Sequence, residues 1–236
     1  MSEWHLAPGY RFAGVVSGLR SEPDRRDVAV LVSDSPASAA GVFTQNRVCA
    51  APVQVSRERL PRADARAIVV CSGNANACTG EQGLADARRM TELVAQELGC
   101  PPEQVLVAST GVIGRPLPMP VLEVGIPQAT RDARPGRDAF SAAAHAILTT
   151  DTGIKVATRR HAHFTLTGLA KGAAMIGPNM ATMLGFVLAD AAVSPPDLHR
   201  ILKGAVDLSF NCISVEGHTS TNDTVLLLAN GSGPPL

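Results

Sequence analysis

Five short stretches of nearly unbroken apolar sequence, residues 28–33, 67–71, 105–108, 184–189 and 224–229, constrain what this chain can fold into. Each is four to six residues long and made mostly of Val, Ile, Leu and Ala. That is too short for a core helix, and it is the pattern of strands buried on both faces. Between the second and third, over residues 80–98, Leu84, Ala87, Met90, Val94 and Leu98 recur at helical spacing, with Gly99 placed to end the helix. Further helices are expected over residues 138–148 and 195–209, the latter with Ser194 as N-cap and Pro195 in its first turn. Strands alternating with helices predict an α/β (α+β) fold. The charged stretch RDARPGRD at 131–138 reads as an exposed connection, and NGSGPPL at 230–236, directly after a strand, as a loop that has nowhere to go.

A chain of 236 residues, 45% hydrophobic and 18% charged, suits one soluble globular domain or two small lobes sharing a core. Its 21 basic residues balance 21 acidic ones, so it carries no electrostatic footprint for nucleic acid or an anionic membrane. With aromatics at 3%, base-stacking platforms are not expected either, and a small-molecule partner is. The five cysteines are odd in number and form no CxxC pair, which fits a reduced, cytoplasmic protein, and the N-terminus shows no signal or transit peptide. One uncharged run of 18 residues, 172–189, approaches the length of a membrane span. Gly177, Pro178 and Asn179 near its middle would break the helix that lipid demands, so a buried loop followed by a core strand is the better reading.

Several residues carry chemistry. His161 and His163 form an H-x-H pair, but Arg159 and Arg160 precede them and would repel a cation, so a polar surface strand is expected there and no metal. Cys71 and Cys78 bracket SGNANA in a strand-to-helix turn, where a helix N-terminus could activate a thiolate. A packed cysteine at a strand end is the favoured alternative. The segment Ser109, Thr110, Gly111 places a hydroxyl beside a glycine amide after a strand, a pair suited to donating to an oxyanion, although STG is also an ordinary turn. Lys171 enters the uncharged run as either an anion partner or a snorkelling lysine. Thr149, Thr150 and Thr152 close the helix predicted before them, and either bind a polar ligand or satisfy its last carbonyls. Thr182 is either a core hydroxyl or a nucleophile that attacks the preceding carbonyl and cuts its own chain. The freed α-amine, with an ordinary pKa of about 7.7 to 8.0, would then serve as its base.

The segment KGAAMIGPNMATML resembles the self-cleavage segment of the glutamate N-acetyltransferase family, the bifunctional ornithine acetyltransferases of arginine biosynthesis. The likeness extends through PGYRFAGVVSGLR, PASAAGVFTQNRVCAAPV, CSGNANACTGEQGLADARRM, STGVIG, AILTTDTGIK and SFNCISVEGHTSTNDTVLLLANG. The resemblance implies an ArgJ/DmpA-type fold of stacked sheets with flanking helices, processed as N-terminal-nucleophile proteins are. It implies a cut between Ala181 and Thr182, giving an α chain of residues 1–181 and a β chain of residues 182–236, and a heterotetramer of two α and two β chains. By the same resemblance Thr182 is the nucleophile, Thr110 and Gly111 form the oxyanion hole, and Thr149, Lys171 and Thr182 bind substrate. The implied reaction passes an acetyl group from N2-acetyl-L-ornithine to L-glutamate through an acetyl-threonine ester. No cofactor is implied, and acetyl-CoA is a co-substrate that many relatives accept. Against that pattern the chain is expected to be truncated at its C-terminus, with Glu216 and His218 where aspartates are the family's habit. A truncated, non-catalytic homologue that binds ligand or a partner is the alternative, and a hydrolase or aminopeptidase of the same fold a third.

Overall fold

The computed structural model describes residues 4–174 and 183–233. Its backbone forms eight strands and five helices of four residues or more among those residues. The strands are β1 (Tyr10–Val15), β2 (Val28–Phe43), β3 (Arg62–Asn74), β4 (Val105–Val112), β5 (Lys155–Arg160), β6 (Thr165–Lys171), β7 (Leu184–Ala189) and β8 (Thr224–Ala229). The helices are α1 (Ala51–Glu58), α2 (Gly80–Leu98), α3 (Met119–Asp132), α4 (Arg137–Ala146) and α5 (Pro195–Asp207).

The strands join in the order β4-β3-β2-β8-β7-β6-β5, with β1 added on β2. The pairs β3/β4 and β7/β8 are parallel, and the remaining pairs are antiparallel. The long strand β2 unites the two halves. Residues 28–32 pair with β1 and β3, whereas residues 38–43 pair with β8. Between them the β2/β3 register shifts beside Pro36, a residue that cannot donate to a ladder and belongs at such an irregularity. The halves then turn toward each other. Ile68, Val70, Leu106 and Ala108 from one share a single core with Leu169, Leu184, Phe186 and Leu226 from the other, together with Phe140 and Ala143 of α4.

The remaining helices cover the outer faces. Met90 and Val94 of α2 and Leu122 and Ile126 of α3 pack on Val30, Val69 and Val107. Leu198, Leu202 and Val206 of α5 pack on Val225 and Leu227. Gly99 takes the left-handed conformation at φ 63° and ends α2 where the spacing predicts. Ser194 caps α5, its hydroxyl accepting from the Asp197 amide at 3.3 Å. All five predicted strands are present, two of them much longer than their apolar cores, so the α/β expectation with flanking helices holds.

Three local expectations are revised. The stretch 131–138 is not one exposed connection: Arg131 and Asp132 finish α3, Arg137 and Asp138 begin α4, and Arg134 bridges to Phe12 between them. His161 and His163 lie in the turn joining β5 to β6 rather than within a strand. The closing loop does find partners, because Asn230 donates to the Pro8 carbonyl at 3.0 Å and Ser232 donates to the same oxygen.

Candidate active site

Strand β4 carries Ser109, Thr110 and Gly111 to the rim of the sheet, and the local sequence fixes them there. Gly111 has φ of 138°, outside the range of ordinary L-residues, and a Cβ on it would lie 2.2 Å from the Gly73 carbonyl carbon. Only glycine fits between β3 and β4 at this point. The SGNANA segment, whose first three residues end β3 and whose last three begin the turn after it, is the scaffold of that edge. Its Ala75 amide donates to the Val112 carbonyl, the Asn74 side chain donates to the Arg115 and Pro116 carbonyls, and the Gly114 amide donates to the Ala77 carbonyl. Asn76 and Cys78 take positive φ values of 47° and 58°, as a tight turn of this kind requires. Of the turn's own backbone amides, those of Ala75 and Asn76 are spent internally, the second donating to Asn74 Oδ1 at 2.7 Å.

Lys171 reaches the same place from the far half of the sheet. It ends β6, is 4% exposed, and donates from Nζ to the Thr110 hydroxyl oxygen at 3.1 Å. Burial pushes its pKa down to about 8, opposed by the Asp151 and Asp223 carboxylates. Those two carboxylates also hold backbone on either side of the nearby chain. Asp151 accepts the Gly172 amide at 2.8 Å, and Asp223 accepts the Met183 amide at 3.0 Å. Burial raises the Asp151 carboxyl, but the Lys155 ammonium and the Gly172 amide outweigh it and keep the group below its usual range.

Thr110, Gly111, Thr149 and Lys171 all line one cavity of about 720 Å³. Thr149 stands in the loop after α4, and its carbonyl accepts from the Arg25 guanidinium. Thr150 lines the cavity as well; Thr152 is not among its described lining residues. The titratable lining residues described are Arg20, Arg25, Arg115, Lys171 and Glu22, an excess of positive charge that favours a carboxylate-bearing ligand. Ala181 and Thr182, the proposed cleavage pair and nucleophile, lie outside the described residues, as do Gly177, Pro178 and Asn179.

The other candidates are elsewhere. Cys71 sits inside β3 rather than in the turn, and its thiol donates to Ser109 Oγ at 3.2 Å. Burial pushes it up to about 12, so it is a packed cysteine and not a thiolate. The His161 and His163 rings are 6.1 Å apart, with His161 stacked on Phe164, and no cluster of three or more metal-ligating side chains occurs among the described residues. Glu216 and His218 are exposed and are not among the described lining residues. No helix among the described residues is long and apolar enough to cross a membrane.

What sequence reasoning missed is the polar run Ser220, Thr221, Asn222, Asp223 and Thr224, in which every residue is buried. Asn222 donates to the Ala75 carbonyl at 2.6 Å and to the Ser109 carbonyl at 2.8 Å, stitching the turn after β3 to the strand end that carries Thr110. Ser220, Thr221 and Asn222 also line the cavity. The available signal was an unbroken polar run, residues 218–224, leading directly into the apolar residues 225–229.

The profile of the ArgJ family matches residues 11–234. An arginine biosynthesis bifunctional protein ArgJ from Geobacter sulfurreducens is 49% identical over 228 residues, covering 95% of this chain and 57% of that protein. Its namesake from Nitratidesulfovibrio vulgaris is 51% identical, covering 95% and 58%. The chain thus spans a little over half the length of these relatives. Among solved structures, an ornithine acetyltransferase from Mycobacterium tuberculosis in complex with ornithine superposes with a TM-score of 0.71 at 39% identity, over 73% of this chain and 93% of that one. With residues 11–234 of 236 matched by the family's profile, this chain belongs to the ArgJ family.

Proposed function

We propose that this chain is an acyltransferase of arginine biosynthesis that moves an acetyl group from N2-acetyl-L-ornithine to L-glutamate. The observation that carries the reading is convergence: Thr110 and Gly111 at the end of β4, Thr149 after α4 and Lys171 at the end of β6 meet in one cavity with a cationic lining. In this reading the chain cuts itself between Ala181 and Thr182, leaving an α chain of residues 1–181 and a β chain that begins with the nucleophile. The Thr182 hydroxyl attacks the acetyl carbonyl and its own α-amine takes the proton. The oxyanion that forms is held by the Thr110 hydroxyl and the Gly111 amide. Ornithine departs, leaving an acetyl ester on Thr182. The glutamate amine then attacks that ester, releasing N-acetylglutamate and restoring the threonine. Thr149 and Lys171 bind the amino-acid substrates, whose carboxylates suit the charge of the cavity.

No cofactor takes part. Acetyl-CoA serves as a second donor, the protein works in the cytoplasm, and the assembly is two α and two β chains. Denaturing gels and an acetyl-transfer assay test the core of the reading. Two fragments meeting at Ala181/Thr182, lost in Thr182→Ala, and N-acetylglutamate formed from N-acetylornithine are the expected results. Intact chain after long incubation and no product would overturn it. Replacing N-acetylornithine by acetyl-CoA in the same assay tests the second donor, and light scattering tests the assembly.

A further inference from the structure

We propose that Lys171 is a positioning residue for the oxyanion hole, one whose ammonium orients the Thr110 hydroxyl so that its proton points into the cavity. The inference rests on the acyl-transfer reading above and adds to it a division of labour within the site. The argument is one of hydrogen-bond valence. An ammonium has three donors and no lone pair, so in the 3.1 Å contact between Lys171 Nζ and Thr110 Oγ1 the hydroxyl can only accept. A threonine hydroxyl has a single proton, and with its oxygen engaged as acceptor by Lys171 that proton is free for another partner. Thr110 lines the cavity, so the developing oxyanion is the partner the geometry offers. A positive charge on the far side of the same oxygen also makes the hydroxyl a stronger donor, because the pair is buried and little screened.

Loss of the proton on Lys171 reverses the arrangement. A neutral amine has a lone pair, and Thr110 can then donate to it and withdraw its proton from the cavity. The charges that set this balance come from four directions. Asp151 after α4 and Asp223 before β8 favour the ammonium, while Lys155 on β5 and Arg20 in the loop between β1 and β2 oppose it. Turnover is therefore expected to fall as the lysine titrates. That limb is opposite in sign to the one for a free α-amine base, which must lose its proton before it can act.

A double-mutant cycle on equally processed protein tests the proposal, using Lys171→Met, Thr110→Val and the pair, with Thr110→Ser as the conservative control. Lys171→Met and Thr110→Val are each expected to lower kcat by on the order of 100-fold. The double variant should be no worse than either single one, and Thr110→Ser should retain most of the turnover. A lysine that only held a substrate carboxylate would instead raise KM, with losses that multiply in the double variant, and that result overturns the proposal. A second readout is independent of turnover. The chain has only three lysines, Lys155, Lys171 and Lys203, so the Lys171 ammonium can be titrated by NMR. Thr110→Val should move its titration to lower pH, because the charged form loses an acceptor. If the unaltered protein transfers no acetyl group, the acyl-transfer reading fails; an unchanged Lys171 titration in Thr110→Val defeats the Lys171–Thr110 linkage in either case.

Discussion

Lys171 illustrates how one residue can cost stability and still be kept. An ammonium that is 4% exposed, with its pKa lowered to about 8 from an ordinary value of 10.5, stays charged at neutral pH in surroundings that penalise the charge. The displacement corresponds to about 3 kcal/mol. The sign follows from proton uptake: between pH 8 and 10.5 the unfolded chain holds a proton on this group that the folded chain has lost, so stability from this group rises across that window. Lys171→Met should therefore unfold at higher temperature than the unaltered protein at pH 7, and the difference should shrink above pH 10 in melting curves taken across the range. Gly111 is constrained in the opposite way, by space. Gly111→Ala would drive a methyl into the Gly73 backbone at a φ of 138°, at a cost of about 3 kcal/mol or more. Chemical denaturation should show that loss, and soluble expression should fall with it. Both residues could be singled out from the sequence, Lys171 because a lysine opens an uncharged run and Gly111 because it follows a hydroxyl at a strand end. Their contact could not. It joins residues 61 positions apart across the two halves of the sheet, and nothing local encodes that meeting.

Elements show where pattern reading succeeds and fails. The five predicted strands were legible because their cores are short, almost wholly apolar runs, whereas β1 is buried but carries Tyr10 and Arg11 and was not. Strand β5, Lys155–Arg160, is largely exposed at the edge of the sheet and its polar sequence offers no such signal. Helix α3 carries Pro127 in its interior, which reads as a break although packing on β1, β2 and α2 holds the helix together. The two anchored amides beside β6 and β7 make a prediction at this scale. Lys171 and Leu184 are cross-strand partners, and the Asp223 carboxylate fixes the Met183 amide while the Thr224 amide donates to the Met183 carbonyl at 3.1 Å. Met183 directly follows the proposed nucleophile, so any looseness there is passed to the reacting threonine. Asp223→Ala should slow self-cleavage by about 10-fold or more. Asp223→Asn keeps an acceptor oxygen and should stay closer to the unaltered rate. Gel time courses, with circular dichroism to confirm folding, distinguish the two.

At the scale of the whole molecule, the sheet order decides what a cut at residue 181 would leave. Strands β7 and β8 would belong to the second fragment, yet they stand between β2 and β6 of the first, bonded to one on each side. Tyr10 adds a further tie, its hydroxyl bonding to the Ala189 and Leu228 carbonyls of the two inserted strands. The fragments of such a cut would thus be interleaved rather than docked, and they could not part without tearing the sheet open along two ladders. Maturation would then act as a one-way step in the history of the protein. Before it, the inserted strands are tethered at the high effective concentration of a single chain. After it, recovering the fold becomes a bimolecular search. The Thr182→Ala chain should refold from denaturant with a yield independent of dilution, whereas the cleaved protein should recover less as it is diluted. Such a cut would leave a molecule that lasts by its rate of falling apart rather than by its ease of re-forming.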